Sequence, residues 1–187
     1  IVVVKKEGGK EMATIDLIVL GMLKKEELSA YDIQKLVEYR NISKWVKIST
    51  PSIYKKVLQL EQKGLISSRT EKEGNMPEKA VYSLTESGEI EFEKLMHELS
   101  KKPIHMFLDF NAVIVNLDSM PKEEQRECLD EIEINIEILL NYLEENEKLK
   151  EKAKDVPATG MAVLRQQITL AQAIKTWIAD LKSLLTL

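Results

Sequence analysis

Over the first hundred residues, apolar positions fall into short blocks whose period keeps changing. Ile15, Leu17, Ile18, Val19, Leu20, Met22 and Leu23 are apolar nearly all round, which predicts a buried helix over 12–24. Ser29 stands as the N-cap of a second helix to about Tyr39. Asp32 is its capping-box analogue, and Ile33, Leu36 and Val37 form its inner face. Thr50-Pro51 sets an N-cap threonine before a proline at the first helical position. Ile53, Val57 and Leu60 then recur at i, i+4 and i+7 through a third helix ending near Lys63. Gly64 follows where a helix-terminating glycine belongs. Residues 65–70 and 79–84 read as two strands around the turn cluster Glu73-Gly74-Asn75-Met76-Pro77. Thr85 caps a fourth helix to about Lys101, with Gly88 a mild weakness in its first turn.

Beyond Pro103 the pattern lengthens. Ile104, Met106, Phe107, Phe110, Val113, Ile114 and Leu117 predict an apolar helix over 104–117. A long helix starts at Pro121 and runs to about Lys152. Within it Leu129, Ile132, Ile136, Leu139 and Leu143 form a heptad-like seam, which Ile134, Ile138 and Leu140 widen. Asp155-Val156-Pro157 ends that region, and Thr159-Gly160 opens a last helix. There Leu170, Ile174, Trp177, Leu181 and Leu184 make one face; Leu164, Ile168, Ala171, Ile178 and Leu185 make a second. At 1.5 Å per residue these helices span about 45 Å and 40 Å, more than a 14-residue helix can cover. The leftover stripe predicts pairing with a second copy in a symmetric homodimer. Its expected interface is Leu129, Ile132, Ile136, Leu139, Leu143, Leu170, Ile174, Leu181 and Leu184.

These elements predict a mostly α fold with a small β-hairpin: a winged helix-turn-helix followed by a helical dimerisation domain. The expected divisions are 12–102 and 103–187. Residues 1–11 read as an extension, either a cloning remnant or the end of a longer arm, with Met12 as the natural start. Net charge sharpens the division. The whole chain carries −4, but 12–102 holds 15 Lys/Arg against 14 Asp/Glu, and 103–187 holds 9 against 15. The acidity belongs to the second half.

Candidate chemistry narrows the field further. One cysteine, Cys128, excludes an internal disulfide and a Cys-rich zinc site, and the acids around it predict an inert thiol. With two histidines, His97 and His105, no metal is expected, and no cofactor fingerprint is present. No nucleophile elbow or phosphate loop appears, so no enzymatic activity is expected. No apolar run approaches the ~18 residues that span a bilayer. With a single cysteine and no signal segment, the expected compartment is the cytoplasm.

Three helices followed by a hairpin is the order of a winged helix, whose helix from Thr50 would enter the major groove of DNA. Ser52, Lys55, Lys56, Gln59 and Gln62 are read as its outward positions. Ser49, Thr50, Ser52 and Lys55 are placed to reach base edges and phosphates. Residues 41–80 hold eight Lys/Arg against four Glu, a basic stretch in an acidic protein. Lys47, Lys72 and Lys79 join the expected DNA-contacting set.

The same stretch resembles the PadR family of transcriptional regulators. Ser29-Ala30-Tyr31-Asp32-Ile33 is close to the family's G-Y-[DE]-[IL], and Ser49-Thr50-Pro51-Ser52-Ile53-Tyr54 to S-x-[GS]-[ST]-[LI]-Y. Leu58-Gln59-Leu60-Glu61-Gln62-Lys63-Gly64-Leu65-Ile66 is similar to L-x-x-L-E-x-x-G-[LY]-[IL]. Residues 79–88 follow [RK]-x-x-Y-x-[LI]-T-x-x-G. The resemblance implies a ligand-responsive repressor that binds a palindromic operator as a homodimer joined through C-terminal helices. It also implies phosphate contacts from the Tyr31 and Tyr54 hydroxyls; Tyr82 is read as packing within the wing. A flat aromatic effector would lodge among the C-terminal helices, with Phe107, Phe110, Tyr142 and Trp177 as candidate lining. The wing departs from the family: Met76 and Glu78 stand where arginines are common, which weakens phosphate attraction. Pro51 replaces a small residue and removes one N–H donor. The missing cations and net acidity motivate an alternative, in which the winged helix docks a protein instead of DNA.

Overall fold

The computed structural model describes residues 8–46, 48, 52–72, 78–153 and 156–185, with side chains from residue 13 onward. The chain divides into two compact units, Ile1–Ile104 and His105–Leu187. Among the described residues, no helix is long and apolar enough to cross a membrane.

The first unit runs α1 (Gly8–Leu23), β1 (Leu28–Ser29), α2 (Ala30–Tyr39), a 3-10 turn (Ile42–Lys44), α3 (Ser52–Gln62), β2 (Ile66–Glu71), β3 (Lys79–Leu84) and α4 (Glu86–Ser100). Helix α1 starts before the expected residue 12, so Gly8–Glu11 belong to it rather than to an extension. The sheet is antiparallel in the order β1-β3-β2. Ile66 pairs with Leu84 and Glu71 with Lys79 on one side of β3; Leu28 pairs with Tyr82 and Ser29 with Val81 on the other. The third strand corrects the expected two-stranded hairpin. Two residues carry no strand signal of their own; β3's open edge satisfies their backbone groups.

Val19 and Leu20 of α1, Ile33 and Val37 of α2, and Ile53, Val57 and Leu60 of α3 are fully buried in one core. Local chemistry fixes how the helices enter it. The Asp32 amide donates to Ser29 Oγ while the Ser29 amide donates to the Asp32 carboxylate, a complete capping box. Gly64 adopts φ 71°, the left-handed conformation that ends α3 at low steric cost. Gly88 is a requirement rather than a weakness. A Cβ there would lie 2.0 Å from the Leu65 carbonyl oxygen. Thr85 closes the same corner: Oγ1 accepts from the Gly88 amide at 3.1 Å and donates to the Gly64 carbonyl at 2.7 Å.

The second unit holds α5 (Asn111–Ile114), a 3-10 turn (Leu117–Ser119), α6 (Lys122–Lys152) and α7 (Ala158–Leu185). The expected helix over 104–117 is corrected. Residues 103–108 are irregular, and only four residues wind into α5. Ile104 and Phe107 are almost fully exposed, so no buried face holds a helix together there. Helices α6 and α7 run antiparallel. Leu129 packs near Ile178 at one end, and Ile136, Leu140 and Leu143 meet Leu164, Ile168 and Ala171 further along. Ion pairs follow the same reversed order: Lys182 with Asp130 and Glu133, Lys175 with Glu137, and Arg165 with Glu147 and Glu151. Burial disfavours the Lys182 ammonium, but the hydrogen bonds it donates to the Asp130 and Glu133 carboxylates outweigh it and hold its pKa up.

The seam expected between copies is therefore largely spent within one chain. Leu129, Ile136 and Leu143 are buried against α7, and Ile132, Ile174 and Leu181 pack around the same clusters. A 3.5-residue period reports that a helix has an apolar partner, not which chain supplies it. Leu139, Leu170 and Leu184 are exposed, as are Ile134, Ile138, Tyr142 and Leu149.

Candidate nucleic-acid interface

Helix α3 is held by Ile53, Val57 and Leu60, so the opposite side faces solvent. Successive residues turn by about 100°. Lys55 and Gln62 fall near the outer pole, and both are exposed. Ser52 and Gln59 sit half-buried at the margin. Tyr54 is exposed, as expected, and so is Leu58, which the sequence reading passed over. The expected outward placement of Lys56 is corrected. Lys56 stands three residues after Ile53 and four before Leu60, which sets it on the inner face. Its side chain is buried, with Nζ 2.7 Å from Asp16 Oδ1 on α1. Three of the expected contact residues, Lys47, Ser49 and Thr50, lie outside the described residues, as does Pro51.

Other cations differ in how they are held. Arg69 on β2 pairs with Glu27 at 2.5 Å and Glu71 at 2.7 Å, which keeps its guanidinium charged and lowers the Glu27 pKa. Lys63 reaches 3.8 Å from Asp16 Oδ2. Lys44, Lys55, Lys72 and Lys79 are exposed and have no ion pair among the described residues. Lys72 and Lys79 lie at the outer ends of the wing strands; the tip, 73–77 with Met76, lies outside the described residues. Glu78 is exposed beside Lys79. Lys44 and the exposed Trp45 sit in and just after the 3-10 turn between α2 and α3, a position the sequence reading counted only as charge.

Tyr31 projects from α2 with its ring exposed and Lys35 Nζ 5.4 Å from its centroid. Tyr82 is buried in the sheet; burial raises its hydroxyl pKa, and Glu61 adds to the effect.

The second unit carries a separate feature. An apolar cleft of about 250 Å³ is lined by Met106, Leu108, Phe110, Asn111, Leu170, Ala173, Ile174 and Trp177. The Phe110 and Trp177 rings stack with centroids 6.1 Å apart. Of the four expected lining residues, these two are at the cleft. Phe107 is not; it is exposed and stacked on His105 at 6.0 Å. Tyr142 on α6 is not a lining residue either. Leu170, Ile174 and Trp177 recur at i, i+4 and i+7 on α7, a signal that assigned them to a seam although it serves a cleft equally well.

Comparisons with known proteins fit this architecture. Residues 19–94 match the Transcriptional regulator PadR-like family. Over 80 residues the chain is 34% identical to the negative transcriptional regulator PadR of Bacillus subtilis, a match spanning 43% of each protein. The crystal structure of Bacillus subtilis PadR in complex with operator DNA superposes with TM-score 0.77 at 23% identity, over 92% of this chain and 99% of that one. The same protein in complex with p-coumaric acid gives TM-score 0.77 at 20% identity, over 98% and 99%. At these identities the structural likeness is one of fold, and it extends through the helical unit. The family match covers residues 19–94, within the winged helix, and the chain spans less than half the length of the curated relative it matches, so the chain is similar to the PadR-like family of transcriptional regulators over that domain.

Proposed function

We propose that this chain is a cytoplasmic, sequence-specific DNA-binding repressor that acts as a homodimer on a palindromic operator and responds to a small aromatic effector. It carries no enzymatic activity in this reading. The observation that carries it is helix α3: one face is locked into the core, and the opposite face presents an exposed Lys55 with no carboxylate paired to it among the described residues. Lys44, Lys72 and Lys79 would reach phosphates, Tyr31 and Tyr54 would add hydroxyl donors, and Lys47, Ser49, Thr50 and Ser52 would complete the set. Lys56 is withdrawn from it. Such contacts position a protein on the duplex, and base-edge contacts from the same helix specify sequence.

The exposed aliphatic residues of α6 and α7 support association with a second copy. Two α3 helices about 34–36 Å apart would meet successive major grooves on one side of a palindrome. The cleft beside Phe110 and Trp177 suits a ligand of about one ring, and Asn111 offers it a polar contact. An effector there would weaken DNA binding only by favouring one arrangement of the dimer over another.

The test uses the genomic fragment that the wild-type protein retains. Lys55→Ala removes one phosphate contact, so the slope of log affinity against log salt falls by about 0.9 and affinity at 0.1 M salt falls about eightfold. A mobility-shift titration with both parameters unchanged would remove α3 from the interface.

A further inference from the structure

Asp16 and Lys56 are the charged side chains buried among the described residues. They bridge α1 and α3 beside the apolar cluster of the first unit. Lys56 Nζ approaches Asp16 Oδ1 to 2.7 Å, but the angles are not those of a hydrogen bond, and neither atom has another hydrogen-bond partner among the described residues. Among the described residues, Lys63, at 3.8 Å from Oδ2, is the other cation beside the carboxylate. A pair this poorly satisfied is a weak source of stability, because desolvation offsets much of the attraction. Apolar side chains of similar volume would fill the site at no net loss. The pair therefore calls for a role other than holding the fold together.

Its position supplies one. Burial of Ile53, Val57 and Leu60 is non-directional and leaves α3 some freedom to roll on α1. A charge pair at one point along the contact is local: any roll that parts the two buried ions loses their attraction, which limits that freedom. Lys56 is the neighbour of Lys55 and two residues from Tyr54, so the same turn that it anchors carries the outward side chains. A roll of about 10° moves a side-chain tip some 6 Å from the helix axis by about 1 Å. Hydrogen bonds to base edges do not survive an error of that size, whereas attraction to phosphates does.

We propose that the Asp16–Lys56 pair is a positioning device that sets the roll of α3 and thereby contributes operator discrimination. The proposal rests on the DNA-binding reading above. It expects discrimination to be lost while folding and non-specific affinity are kept, a combination that a purely structural role does not produce.

The experiment compares the wild-type protein with Asp16→Leu/Lys56→Met, in which both charges give way to apolar groups of similar size. Each is titrated against the genomic fragment retained by the wild-type protein and against a random duplex of equal length, across a salt series. The expected result is a melting temperature within a few degrees of wild type, random-duplex affinity within about twofold, and an operator-to-random ratio reduced about tenfold. Asp16→Asn/Lys56→Gln, which removes both charges together and keeps polar side chains of similar shape, is the second variant should the first melt early; its ratio falls at least about threefold. An unchanged ratio in either folded variant overturns the inference and leaves the DNA-binding reading intact. Failure of the wild-type protein to prefer any genomic fragment overturns both.

Discussion

The two units bury their apolar residues to different ends. In the first, α1, α2, α3 and the sheet close around a single core, and the large residues left outside include Tyr31, Tyr39 and Tyr54, whose rings carry a polar tip. Leu58, Ile90, Met96 and the unit's last residue, Ile104, are the aliphatic and thioether exceptions. In the second, α6 and α7 bury one face against each other and leave Ile134, Ile138, Leu139, Leu149, Leu170 and Leu184 exposed, six aliphatic side chains with no polar handle. A unit of the first kind is complete by itself. A unit of the second kind has satisfied only part of its hydrophobic surface, and exposed apolar patches of that kind mark interaction sites. The lesson is that one chain can hold a finished domain beside one whose core is open.

A finished core leaves no room at its corners, and Gly88 tests this most severely. Gly88→Ala places a methyl group 2.0 Å from the Leu65 carbonyl and 2.7 Å from Leu84 Cδ1, so the backbone of the corner must move. The expected loss of unfolding free energy is on the order of 4 kcal/mol. Urea denaturation followed by circular dichroism measures it, and a loss below about 1 kcal/mol would mean that the corner is looser than its geometry.

That corner also shows what the sequence could and could not express. The caps at Ser29, Gly64 and Thr85 were legible because each acts through its own neighbours in the chain. The inner faces of α2 and α3 were legible because helical period alone fixes them. Gly88 was read as a defect because its reason, the Leu65 carbonyl, lies 23 residues away in the chain. Lys56 follows from neither residue type nor the core stripe alone: lysine is rarely buried, yet its spacing from Ile53 and Leu60 puts it inside. The strand at Leu28–Ser29 exists only because β3 has an edge to offer. In the helical unit the heptad period was visible, but it could not say that α7 of the same chain takes up Leu129, Ile136 and Leu143. Of the aromatics proposed beside an effector, Phe110 and Trp177 line the cleft and Phe107 and Tyr142 do not, because aromatic character alone does not report the irregular path of 103–108.

The second unit's closed face should behave like an ordinary core. Leu129 is fully buried beside Ile178 and Leu117. Leu129→Ala is expected to cost about 3 kcal/mol, the lost transfer energy plus the cavity left behind. Chemical denaturation at a single high protein concentration reads this without interference from a shifting association equilibrium. A cost under about 1 kcal/mol would show that the α6–α7 face is not packed as a core, and the contrast between the two faces of α6 would fail.

The smallest effect on folding, and the most informative about association, is expected at Ile138. It is 61% exposed on α6, two residues after the buried Ile136. Within a single chain Ile138→Lys replaces a solvated side chain on a helix surface, which changes stability by no more than about 0.5 kcal/mol. Across a dimer interface the same lysine would place an unpaired ammonium among aliphatic groups, a far larger penalty. The two cases separate cleanly by sedimentation velocity: the wild type is expected to sediment as a dimer and the variant to shift toward monomer, with its thermal melt essentially unmoved at high concentration. Leu181→Lys would not serve, because Leu181 already packs in the cluster around Leu129 and Ile178, and its loss would damage the chain before the dimer. If Ile138→Lys sediments as the wild type does, the exposed stripe on α6 is not the surface that joins two copies, and the open face needs another partner.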